Sequence, residues 1–191
     1  MRKIVVVHMA PRSRKGVRVG PRTDFGSRIR YAVVKRRRGW LGVITPAVAN
    51  GRIGWVRAGA VRRARYVREH IEIDLSRRLL RVLMDGRVVI ETTVAVGAAG
   101  SPTPIGRFAI TDKVPGWKLG RVYGCCVLVL SGHQPRPPRG WAPGDYRLAI
   151  HGGDSDAIGR AISAGCIHAP AGTLRFLMNR LPAGTRVTIH P

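Results

Sequence analysis

Two residues in this sequence combine a reactive side chain with a setting that could use it. Cys166 stands in the tetrapeptide Ser163-Ala164-Gly165-Cys166, and the pair His151-Gly152 begins fifteen positions earlier. A thiol with a pKa near 8.5 is only a few per cent ionised at neutral pH, so it needs a base, and imidazole is the usual one. Pairing of the two is expected to lower the thiol pKa and give an attacking sulfur. Attack on a carbonyl also needs donors for the oxygen that becomes negative. A glycine just before the cysteine lets consecutive amides turn toward one point, so the N–H groups of Gly165 and Cys166 are the expected oxyanion donors. The pattern is that of nucleophilic catalysis by sulfur, with no support for a serine nucleophile.

The surrounding sequence predicts the elements that would hold these residues. The apolar run Leu148 to Ile150 reads as a strand that delivers His151 at its end. Beyond Cys166, Leu174, Leu177, Met178 and Leu181 fall at helical spacing, with Pro182 ending the helix and Arg186–Ile189 closing as a strand. Earlier, Ile71, Ile73 and Leu75 alternate with Glu72 and Asp74, and Leu79–Met84 and Arg87–Val96 flank an Asp85-Gly86 hairpin turn. The first 65 residues read as short strands: Ile4–Val7, Ile29–Val34, and Trp40–Ile44 with Ile53–Val56 around Asn50-Gly51. Trp40 and Trp55 either pack this unit or offer a stacking surface for a ligand.

Of three cysteines, Cys125 and Cys126 are adjacent in the apolar run Val122 to Leu130. Neighbouring strand residues point to opposite faces, so both read as small buried hydrophobes. No Cys-x-x-Cys pair occurs, so no structural zinc site is expected, and the sequence calls for no other metal or cofactor.

The chain of 191 residues carries 34 basic and 10 acidic residues, a net charge of +24. Such a balance describes a solvated, generally cationic surface or one that favours polyanions: nucleic acid, anionic lipid surfaces or anionic wall polymers. The basic residues are densest at Arg12–Lys15, Lys35–Arg38 and Arg62–Arg68. They lack the zinc spacing or aromatic signature of a dedicated nucleic-acid module, so no specific nucleic acid is expected. No apolar run approaches the roughly 18 to 20 residues of a membrane span. The opening MRKIVVVHMAPR is basic, but its apolar run is too short for a signal peptide, so no export signal is visible.

The residues around Cys166 resemble the L,D-transpeptidase family of YkuD type. Its members carry a His-Gly pair, a Gly-containing spacer of similar length, and Ser-His-Gly-Cys followed by Ile/Val-Arg. His151-Gly152, Gly159 and Ser163-x-Gly165-Cys166-Ile167 match. Ala164 stands where the family has His, and His168 where it has Arg. The stretch IDLSRRLLRVLMDGRVV is similar to the opening of the family's catalytic domain. Gly97 to Ile110 is similar to its Gly…Thr-Pro-x-Gly-x-Phe segment, which gives Thr103 and Gly106 shaping roles and buries Phe108. Gly39 to Val61 resembles the end of a bacterial Src-homology-3-type barrel. The resemblance implies a mainly β chain: a small SH3-like barrel over 1–65, then an L,D-transpeptidase-type β-sandwich over 66–191 with one or two helices. The basic joining segment, Arg62 to His70, is short, so the two units are expected to touch.

For function, the resemblance implies a peptidoglycan L,D-transpeptidase outside the cytoplasm, in the cell envelope. Cys166 would attack the bond between the diamino acid and D-Ala of a tetrapeptide stem, form a thioester, and pass the acyl group to an amine of a second stem. Transfer to water would make an L,D-carboxypeptidase, and a disabled site would leave a wall-binding protein. His151 takes the role of base and the Gly152 main chain orients its ring. His168 and Ser163 are expected substrate contacts; His133 reads first as a structural or surface residue and second as a substrate contact, and Trp141 either walls the groove or packs its loop. His168 either replaces the Arg that would hold a substrate carboxylate, or restores the imidazole missing at Ala164, or is a plain surface residue.

Overall fold

In a computed structural model, residues 4–61, 63–140, 146–153 and 155–191 are described. Short apolar runs broken by glycine and proline turns build the first sheet: β1 (Val5–His8), β2 (Gly16–Val19), β3 (Ala32–Arg37), β4 (Trp40–Ile44) and β5 (Gly54–Arg57). They pair antiparallel in the order β2-β1-β5-β4-β3. Val7, Leu41, Val43, Val48 and Val56 form its core. Trp40 and Trp55 are buried, with the Arg57 guanidinium 4.6 Å over the Trp40 ring. These indoles pack the unit; they are not an open stacking surface.

The second unit contains β6 (Glu69–Asp74), β7 (Leu79–Met84), β8 (Arg87–Thr93), β9 (Val96–Gly97), β10 (Gly106–Pro115), β11 (Cys126–His133), β12 (Arg147–His151), β13 (Ala161–Ser163), β14 (Ile167–His168), helix α1 (Ala171–Arg180) and β15 (Arg186–His190). Eight of the strands form one mixed sheet, β14-β12-β11-β10-β15-β6-β7-β8, and β13 pairs with β9 as a small second layer. The β7–β8 hairpin turns through Asp85 and Gly86, both at positive φ, as an Asp-Gly turn requires. Leu80 and Val82 near one end of the large sheet share a core with Ile167 at the other, together with Leu174 and Leu177 of α1. A flat sheet could not bring those ends together, so the sheet curls around the helix. Phe108 is buried in that core, and Thr103 shapes its loop by accepting the Gly97 N–H at 2.8 Å.

The two units meet along β10, β11 and β4. Ala32 and Ile44 pack on Ala109. Asn50 donates to the His133 carbonyl at 2.7 Å and accepts the His133 N–H at 2.9 Å. The His133 Nε2–H donates to the Pro46 carbonyl at 2.9 Å. His133 is therefore a residue of this seam. The cysteine expectation is corrected. Cys125 lies before β11, after Gly124 at positive φ, so strand alternation does not separate the two side chains, and Cys125 and Cys126 form a disulfide.

Candidate active site

Strand β12 places the histidine. Its neighbours are β11, antiparallel with Val127 opposite His151 and Val129 opposite Ala149, and β14, parallel with His151 beside His168. Leu148 and Ile150 enter the large core, which turns Ala149 and His151 to the other face. His151 is buried, and its Nδ1 is hydrogen-bonded to the Gly152 carbonyl. A carbonyl only accepts, so Nδ1 carries the proton and Nε2 is left with its lone pair. The Tyr123 ring stands edge-on to the imidazole at 5.0 Å, and the His168 ring lies tilted against it at 4.5 Å.

Gly152 is a glycine because two backbones meet there. Its N–H donates to the Tyr123 carbonyl at 2.9 Å, and a Cβ would sit 2.9 Å from Gly124 Cα. The same close approach holds the Tyr123 ring against His151.

The cysteine arrives on a tight loop ahead of β14. Parallel pairing of Ile150 with Ile167 sets Cys166 beside Ala149, whose amide donates toward the sulfur. Cys166 packs with Ala149, Val127, Val129 and Tyr123 on the face that His151 shares. His151 lies two positions beyond Ala149 along β12, so thiol and imidazole are diagonal neighbours on one face. Gly165 has φ +111°, and a Cβ there would overlap the Gln134 Nε2. That amide nitrogen donates to the carbonyls of Ala164 at 2.9 Å, Pro102 at 3.1 Å and Ser101 at 3.2 Å. Ser163 Oγ donates to the Cys166 carbonyl at 2.5 Å and accepts the Gly165 N–H at 3.0 Å.

In this loop the Ser163 hydroxyl is engaged in the turn that presents the cysteine, and it holds the Gly165 N–H. Trp141 lies outside the described residues.

Burial pushes the Cys166 thiol up, only partly offset by the Ala149 amide. Burial and the neighbouring His168 pull His151 down to about 4, against a smaller upward pull from the Gly152 carbonyl. His168 is also lowered by burial, and its Nδ1 is buried without a partner among the described residues. Both shifts oppose ionisation of the resting thiol and imidazole. Burial disfavours the His168 cation that would stand in for Arg, and the ring faces His151.

Sequence reasoning missed Tyr123 and Gln134. Tyr123 lay within an apolar run whose aromatic gave no sign of facing His151. Gln134 follows His133 directly, but a lone glutamine carries no spacing signal. Among the described residues no group of His, Cys, Asp or Glu could hold a metal ion, and no helix is long and apolar enough to cross a membrane.

The model of the YkuD family, the L,D-transpeptidase catalytic domain, matches residues 68–189. Over 122 residues the chain is 32% identical to a putative L,D-transpeptidase YkuD from Bacillus licheniformis and 31% identical to its counterpart from Bacillus subtilis. Each match covers 63% of this chain and 65% of the relative, so the chain spans a little under two thirds of their length. The structure of L,D-transpeptidase 3 from Mycobacterium tuberculosis with a faropenem-derived adduct shares the fold at 14% identity and TM-score 0.52, over 73% of each chain. With a family match that runs from β6 to β15, the chain belongs to the L,D-transpeptidase catalytic domain family.

Proposed function

We propose that the protein is a cysteine-dependent peptidoglycan L,D-transpeptidase of the cell envelope, with an SH3-like unit over 1–65 ahead of its catalytic unit. The observation that carries the reading is the parallel register of β12 and β14. It sets His151, its Nδ1–H fixed on Gly152 and its Nε2 open, one strand step from Cys166.

Because both groups rest neutral, the proton moves as the sulfur attacks. Cys166 Sγ bonds to the carbonyl carbon of the diamino acid while its proton passes to His151 Nε2. The carbonyl electron pair moves onto oxygen, where the Cys166 N–H stabilises it. Collapse restores the carbonyl and breaks the C–N bond, and His151 returns the proton to the departing D-Ala amine. An amine of a second stem then attacks the thioester, His151 takes its proton, and the sulfur leaves and recovers that proton. His168 supports the base through ring contact and by keeping it neutral. One well-placed oxyanion donor contributes about 3 kcal/mol to such a barrier.

The test is incubation with a tetrapeptide stem, followed by mass spectrometry of both protein and peptide. Release of D-Ala together with an acyl mass on Cys166 supports the reading, and cross-linked product distinguishes transfer from hydrolysis. A carbapenem should label the same sulfur. With a folded protein, absence of both adducts would overturn the enzyme assignment and favour the disabled wall-binding alternative.

A further inference from the structure

Away from Cys166, a groove of about 750 Å³ opens where the two units and the segment between them meet. Its walls carry Arg28 and Arg30 from the first unit, Arg65 and Arg68 from the joining segment, and Lys113 and Arg180 from the second. Glu69 is the acidic residue among its lining, and its carboxylate accepts the Arg68 N–H at 3.1 Å. Arg68 is also paired with Asp85 at 3.5 Å, and Lys113 Nζ donates to the Met178 and Leu181 carbonyls at the end of α1. Arg28, Arg30, Arg65 and Arg180 are exposed. The concentration of charge is felt locally: after burial, the charge of Arg30 is what depresses the Lys113 ammonium.

With 34 basic against 10 acidic residues, one-to-one pairing leaves at least 24 cations without a carboxylate. Gathering several of them into one concave site costs repulsion that a bound polyanion would relieve. Guanidinium groups bind phosphate through two parallel hydrogen bonds, which makes phosphate the matching anion. Single-stranded nucleic acid sites add a row of aromatic platforms, whereas this lining offers one aromatic, Tyr66, 87% exposed.

We infer that this groove binds a phosphodiester-linked polyol chain of the cell wall, its phosphates held by Arg28, Arg30, Arg65 and Arg180. The inference rests on the envelope reading above, and it adds a second contact that would keep the enzyme beside its substrate layer. Because both units supply lining residues, the site exists only while they are docked.

The experiment titrates the full chain with poly(glycerol phosphate) at several salt concentrations. It compares wild type with an Arg28→Gln, Arg30→Gln, Arg180→Gln variant and with a charge-matched Arg12→Gln, Arg14→Gln, Lys15→Gln variant. The groove variant should bind at least tenfold more weakly, and its log K against log salt slope should shrink by about 2 to 3. The matched variant should lose clearly less. Equal loss in both variants would overturn the site, as would tighter binding of a single-stranded oligonucleotide with the same number of phosphates. Carbapenem labelling of Cys166 is read in the same samples. Labelling retained in the groove variant while polymer binding is lost supports a separate site. Labelling absent from wild type defeats the catalytic reading and leaves the binding result to stand or fall by itself.

Discussion

Gln134 Nε2 donates to the Ala164 carbonyl at 2.9 Å, two residues before the nucleophile, while the neighbouring His133 is tied to Asn50 and Pro46 of the first unit. The same nitrogen holds the Ser101 and Pro102 carbonyls, so one side chain joins the Pro-rich loop, the cysteine loop and the seam. Replacing Gln134 by Ala leaves three carbonyls without that donor and removes the wall against which Gly165 turns. Displacements near 1 Å cost about a hundredfold in such sites. Gln134→Ala should therefore slow carbapenem acylation of Cys166 by about 10- to 100-fold with little change in secondary structure. Acylation at the wild-type rate would show that Ser163 alone holds the loop.

The pH response follows from His151. Its folded-state pKa is about 4, against an ordinary 6.5, because burial and His168 disfavour the cation. The unfolded chain therefore takes up a proton at His151 as pH falls below 6.5, while the folded chain resists until about 4. The stability this group contributes is complete above 6.5 and is lost between 6.5 and 4. At about 1.4 kcal/mol per pKa unit, the loss is on the order of 3 kcal/mol. Denaturant midpoints measured from pH 7 to pH 4 should fall, and the acid limb of acylation should sit near 4. At the alkaline end, the raised Cys166 thiol should be alkylated by iodoacetamide with a midpoint above that of an ordinary cysteine.

His168 separates two readings of its role. Its ring covers His151 at 4.5 Å and contributes to the lowering of that group. His168→Ala should admit water, relieve the opposition of the neighbouring ring to the His151 cation and move the acid limb of the pH–rate profile upward, with a lower rate at its plateau. A residue that only bound the substrate carboxylate would raise KM and leave the limb where it was.

Much of this architecture could be read from local patterns. The β7–β8 hairpin announces itself through Asp85-Gly86 at positive φ, and α1 through its leucine stripe. His151 and Cys166 were legible because a base and a thiol in a Gly-bracketed pattern have few other uses. What escaped depends on contacts far apart in sequence. The His133–Pro46 bond spans 87 residues and the Gln134–Ala164 bond 30, and no periodicity encodes either. The direction of the Cys166 pKa was also hidden, since it follows from burial in the curled sheet and not from the neighbouring residue types.

Gly152 and Gly172 give opposite answers to the same substitution. A Cβ on Gly152 would stand 2.9 Å from Gly124 Cα and 3.0 Å from the Tyr123 carbonyl, both backbone atoms that cannot swing away. Gly152→Ala must therefore push the Gly120–Gly124 turn outward, lengthen the 2.9 Å Gly152–Tyr123 hydrogen bond and lift the Tyr123 ring from His151. Overpacking of this kind costs about 1 to 3 kcal/mol, and here the strain falls on the carbonyl that holds the imidazole tautomer. Gly172 is exposed in the first turn of α1, and nothing lies within 4 Å of its would-be Cβ. Gly172→Ala reduces the freedom of the unfolded chain without a clash and should stabilise by about 0.4 to 1 kcal/mol. Thermal unfolding and Cys166 acylation measured on both variants should show a lower melting temperature with impaired acylation for the first, and a slightly higher one with full acylation for the second. Normal acylation in Gly152→Ala would mean that the His151 ring does not depend on the Tyr123–Gly124 backbone for its position.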